Sequence, residues 1–195
     1  MAIKSKGSSG STYHDQDMIA LLDSGHGSSA VHFDILYGVN NINDNYKVYK
    51  IFFRDIDIND GYQFQFRFLS AANSPNTTGA YGGGMNLGEG LTTGRSYAWS
   101  NADHVPLGLA RGAASITGNY TANMELTIYM TQSQPGSKMN YHWNGMWRDN
   151  VGATQGLWGG GTTTQDGDYG IRVCTNDRSN ARITHYTYAM YGYSG

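Results

Sequence analysis

The sequence predicts an all-β fold, a two-sheet antiparallel β-sandwich of the jelly-roll kind, and three observations predict it. Tyr62, Phe64, Phe66 and Phe68 alternate with Gln63, Gln65 and Arg67, the two-residue period of a half-buried strand. The 195 residues include 27 Gly and 15 Tyr, which suits many turns between many aromatic strands. No window combines a 3.6-residue period with a cap and little glycine, so helices are not expected. The length fits one domain with a small appendage, large enough to bury a core without covalent staples.

Taken in order, residues 1–17 are polar and rich in Gly and Ser, too poor in apolar surface to pack, and read as a short flexible N-terminal arm. A single jelly-roll domain is expected over 18–195. MIALLD and VHFDILY are short apolar runs set apart by SGHGSS, which reads as a turn-rich connection. NYKVYKIFF is rich in β-branched and aromatic residues, and the alternating strand from Tyr62 follows the acidic stretch RDIDINDG. Residues 70–94, with Pro75 and three glycines at 82–84, read as a long loop. Further strands are expected at RSYAW, ANMELTIYM, KMNYHWNGMW, YGIRVCT and ARITHYTYAMYGY. Eight or more strands joined by glycine-rich turns imply two packed sheets.

Composition excludes several classes of function. Net charge is −2 and no run of Lys or Arg could track a phosphate backbone, so nucleic acid is not an expected partner. A single cysteine, Cys174, allows neither an internal disulfide framework nor a thiolate zinc site. No signal-peptide core follows the N-terminal lysines and no apolar run is long enough to span a bilayer, so neither Sec export nor membrane insertion is expected.

The chemistry-bearing candidates are few. Asp55, Asp57, Asn59 and Asp60 resemble the start of a calcium loop, but the sixth place holds Asp60 where Gly is needed and the twelfth holds Phe66 where a bidentate Glu is needed. Asn59-Asp60-Gly61 instead reads as a tight reversal, with the Asp55–Asp60 carboxylates at a solvated corner. The six histidines show no metal-binding spacing. No nucleophile elbow, phosphate loop or dinucleotide fingerprint occurs. A glycosidase would have to pair carboxylates such as Glu89 and Glu125, the only two glutamates. No catalytic residue, metal ligand or cofactor is therefore assigned. The candidate glycan contacts are Trp158, Trp143 and Trp147. The spacing of four between Trp143 and Trp147 puts them on one strand face, where they read first as core, whereas Trp158 in GLWGGG is the ring expected to be exposed.

The segments MIALLDSGHGSSAVHFDILYG, INDNYKVYKIFFRDIDINDGYQFQFRF, GNYTANMELTIYM, WRDN, YGIRV and ARITHYTYAMYGY follow one another in a telling order, ending on Met190-Tyr191-Gly192. This order resembles bacteriophage structural proteins, the tail-fibre and virion-appendage proteins of marine and cyanobacterial phages, over residues 18–195. The resemblance implies a non-enzymatic jelly roll acting in virion assembly and host-surface attachment, and it carries no catalytic residues. It also implies a homo-oligomer, with a trimer favoured, and a virion location after assembly in the host cytoplasm. Other virion proteins would be held through the N-terminal arm, and a host-surface glycan is a further partner. GMWRDNVGATQGLWGGGTTTQ departs from the pattern in its Gly and Trp content and reads as a specialised surface loop.

Overall fold

A computed structural model describes residues 19–36, 46–58, 63–71, 74–75, 81–89, 93–107, 122–130, 139–148, 154–163, 169–177, 179–180 and 182–193. Among these are thirteen strands: β1 (Ile19–Ala30), β2 (His32–Leu36), β3 (Val48–Ile58), β4 (Phe64–Ala71), β5 (Ser74–Pro75), β6 (Tyr81–Glu89), β7 (Thr93–Ala102), β8 (Val105–Pro106), β9 (Ala122–Tyr129), β10 (Met139–Arg148), β11 (Thr154–Thr163), β12 (Gly170–Thr175) and β13 (Ile183–Tyr193). The large sheet runs β1-β13-β3-β9-β10-β11-β6-β7, and the small one β2-β12-β4-β5, with β8 also on β4. Every pairing is antiparallel.

The pairing is nested from the outside in. β1 takes β13, β2 takes β12, β3 takes β9, and β4 takes β8. That order is a long hairpin rolled into two sheets, which is the jelly roll expected from the sequence. The hairpins β6–β7 and β10–β11 are additions that continue the large sheet outward from β9.

Alternating side chains fill the space between the sheets. Tyr49, Ile51 and Phe53 of β3, and Met124, Leu126 and Ile128 of β9, face Phe33, Ile35, Phe64, Phe66, Phe68, Ile171 and Val173 of the small sheet. Ring contacts knit the two layers: Phe53–Phe64 at 5.9 Å, Phe66–Tyr141 at 5.6 Å and Phe68–Tyr81 at 6.1 Å between centroids. The Phe68 N–H, on β4 between the positions paired to β8 and β5, donates to Tyr81 Oη at 2.8 Å. Burial drives the Tyr81 phenol well above its usual range, so it stays a neutral member of the core.

Four expectations need correction. SGHGSS is strand, because β1 runs unbroken to Ala30 and Tyr188 and Tyr186 cover the missing side chains: a Cβ at Gly25 or Gly27 would lie 2.7 Å from those rings. The stretch 70–94 contains β5, β6 and the start of β7, and the glycine- and Trp-rich departure after Gly145 contains the end of β10 and all of β11. Glycine weakens a strand by leaving nothing to pack, and here rings from neighbouring strands replace what is missing. Gln65 and Arg67, expected in solvent, are 0% and 5% exposed. Both are paired where they lie: Gln65 Nε2 donates to the Thr175 carbonyl at 3.2 Å, and Arg67 donates to Asp103, just ahead of β8, at 2.8 Å. Finally, Asp55 and Asp57 lie inside β3 and not at a corner. β3 bulges at Arg54–Asp55, where the register with β9 slips between Phe53 and Ile56 and Asp55 takes a φ of 53°. The bulge turns two residues outward in succession and returns Ile56 and Ile58 to the core. The arm 1–17, His14, and the 59–62 reversal with Tyr62 lie outside the described residues.

Candidate functional site

The two faces of the large sheet differ in chemistry. Inward positions carry the core, and outward ones form rows that run straight across the strands. One row reads Ser24, Ala189, Phe52, Glu125, Asn144, Trp158, Asn86 and Ser96, from β1 to β7. Trp158 on β11 is 51% exposed, as expected of that ring. Asn144 of β10 and Asn86 of β6 are its partners on the two sides. Ser96 Oγ donates to Asn86 Oδ1 at 2.6 Å, which orients that amide. Diagonally adjacent, Met146 is 62% exposed.

Farther along the row, Glu125 accepts from Lys50 Nζ at 2.8 Å, and this bond holds the Lys50 pKa above its usual value. Phe52, Arg54, Asn123, Glu125 and Asn144 line a shallow hollow of about 230 Å³ that opens on the same face, and Asn144 joins it to Trp158. The hollow sets Arg54, the Glu125–Lys50 pair and two carboxamides beside an aromatic edge.

The other candidate tryptophans fare differently. Trp143 is 1% exposed, stacked at 6.2 Å on Tyr141 and pressed against the Gly159 backbone, so it is a core residue and is withdrawn as a glycan contact. Its inward parity on β10 is the reason. Trp147, on the same strand as Trp143, is paired with Gln155 of β11, and its side chain lies outside what the structure describes. Of the two glutamates, Glu125 lies on β9 and Glu89 on β6, strands separated by β10 and β11, and the Glu89 side chain lies outside what the structure describes.

On the small sheet, Arg172 of β12 makes two bonds of 2.8 Å to Asp34 of β2, and Asp103 bridges Arg67 and His104, at 2.8 and 2.6 Å. Each guanidinium has its own carboxylate, so this row closes a face and leaves no bare cation cluster. Among the described residues no three His, Cys, Asp or Glu side chains gather as a metal site. Asn86 and Asn144 were not singled out in the sequence; their pairing with Trp158 appears only when β6, β10 and β11 are set in register. No family model matches this chain, and neither a curated protein nor a solved structure does.

Proposed function

We propose that this chain is a non-enzymatic structural protein of a bacteriophage virion, a tail-fibre or appendage domain or a capsid decoration, acting in assembly and host-surface attachment. The observation that carries the reading is where the ordered motifs fall. IALLDSGHGSSA, HFDIL, VYKIFFRDIDI, FQFRF, ANMELTIY, GIRV and ITHYTYAMYGY fall in β1, β2, β3, β4, β9, β12 and β13, seven members of the nested jelly roll. The segment that departs from the pattern is part of an added hairpin, and WRDN alone among the motifs falls there. A motif order that coincides with the topological frame is what a shared scaffold would produce.

In this reading the chain self-associates, with a trimer favoured, and holds its neighbour in the particle through residues 1–17. Exposed Ile19 and Leu21 on β1 directly follow that arm and supply apolar surface for the contact. Imaging intact particles with this chain labelled tests the reading: the label is expected at tail, neck or shell, and particles without label overturn it. Deleting residues 1–17 is expected to abolish incorporation while the isolated domain keeps its far-UV strand spectrum. Unchanged incorporation would remove the anchoring role. A second reading, a lectin-like glycan-binding module, is favoured by one observation, the exposed Trp158 between two carboxamides.

A further inference from the structure

We propose that the outer face of the large sheet around Trp158 is a saccharide platform that takes a neutral pyranose chain laid across β3, β9, β10, β11 and β6. It deepens the attachment reading and rests on it only in requiring this face to point away from the particle.

A pyranose offers two kinds of surface, an apolar patch of C–H groups and a rim of hydroxyls that both donate and accept. An indole ring matches the first, and carboxamides, with a donor and an acceptor each, match the second. Trp158 is half exposed, and its cross-strand partners on both sides are carboxamides, Asn144 and Asn86. The row continues through Glu125 to Phe52, three strands from Trp158, so two aromatic edges stand about 14 Å apart with polar groups and the hollow between them. That is room for more than one sugar ring.

The glycines give an independent observation. At inward positions the gap is filled from within: Tyr188 over Gly25, Tyr186 over Gly27, Trp143 over Gly159, and Tyr141 beside Gly161. Gly156, two residues before Trp158 on the same outward face, is different, since a Cβ there would meet nothing within 4 Å. Gly160 follows Trp158 on that face, and Gly84 and Gly88 flank Asn86 in the same way. On the Gly156 side the ring therefore rises from a low floor that a ligand can reach, while His142 stands close on the Gly160 side.

The charges indicate a neutral ligand. Around the ring the row brings only amides and a hydroxyl, and Glu125 is already paired with Lys50, while the cation Arg54 lines the hollow on the Phe52 side, away from the ring. Trp158 and the exposed Met146 would also suit a contact between copies of this chain, and it is the carboxamide on each side of the ring that favours the sugar. Ile19 and Leu21 form a separate apolar edge on β1, five strand spacings or about 24 Å away.

The test uses the full chain titrated with neutral cello-, malto-, manno- and galacto-oligosaccharides, followed by tryptophan fluorescence and calorimetry, with sedimentation velocity in parallel. At least one series is expected to bind and perturb the emission. Trp158→Ala should weaken that binding about tenfold or more, and Trp158→Phe should keep most of it. Asn144→Ala and Asn86→Ala should each weaken it roughly three- to tenfold. Circular dichroism on every variant separates lost binding from lost fold, and Gly156→Ser, placed in open space, is a folded variant that should crowd the ring's side and lower affinity. A folded wild-type chain that binds none of the four series overturns the proposal. So does a Trp158→Ala chain that binds as the wild type, or one that changes oligomeric state with no sugar bound. Each result leaves the particle-labelling test untouched, so the two readings fail separately.

Discussion

At the scale of single residues, two tryptophans of similar sequence setting take opposite roles. Trp143 and Trp158 both sit near glycines, and strand parity separates them: Trp158 is outward next to inward Leu157, and Trp143 is inward opposite Gly159. The strand setting made the core reading of Trp143 legible, and the GLWGGG setting made the exposed ring legible. Arg67 was not legible, because its burial comes from Asp103, 36 positions along the chain, and no local pattern carries that information. The Trp143 ring leaves no room at its neighbour, as a Cβ at Gly159 would lie 2.5 Å from Trp143 Cζ2 and 2.8 Å from the Gly84 carbonyl oxygen. Gly159→Ala is therefore expected to cost about 1–3 kcal/mol by overpacking, and Trp143→Ala about 3–5 kcal/mol by leaving a cavity. Urea denaturation midpoints check both, and a Gly159→Ala midpoint equal to wild type would mean that the ring is not held against that backbone.

At the scale of elements, the long strands that sequence missed are glycine-rich, and β5 and β8, also missed, are only two residues each. The SGHGSS half of β1, together with β6 and β11, is interrupted by glycines that break up the run of strand-forming residues, and propensity assigns such stretches to loops. They are strands because neighbours pair with them on both sides or cover them with rings, a tertiary effect that no window of the sequence contains. β3 shows the reverse case, where the acidic stretch looked like a corner and is a bulge within the strand. The left-handed backbone at Asp55 suits Asp, Asn or Gly and penalises β-branched side chains. Asp55→Val is expected to destabilise by about 1–2 kcal/mol and Asp55→Gly to be neutral or better, although the position is exposed. Thermal melts of the two variants decide this, and equal melting would mean that the bulge is free to straighten.

At the scale of the whole molecule, the all-β class and the nested frame were legible, since nine of the strands fall where patterned segments were read and those segments include seven of the frame. The width of the large sheet was not, because β6 and β11 escaped detection. That sheet ends on β1, which is paired on one side only among the described residues, and Ile19 and Leu21 are 42% and 57% exposed beside Tyr193 and Tyr191. Open edges with apolar side chains are places where chains meet. Leu21→Lys is expected to shift sedimentation toward the monomer while leaving the melting of the isolated domain within about 0.5 kcal/mol, as for a surface change; an unaltered oligomer would move the contact elsewhere. The nested pairing also sets a schedule. β13 is made last yet lies between β1 and β3, and Ile19 finds its partner in Tyr193. At translation rates of about 5–20 residues per second, the first strand waits roughly ten seconds or more for the last. Until then Ile19 and Leu21 and the edge of β3 have no mate in their own chain, so the ribosome's pace, and whatever shields those strands meanwhile, governs the yield of folded protein. A chain stopped before Ile183 would remain in that waiting state.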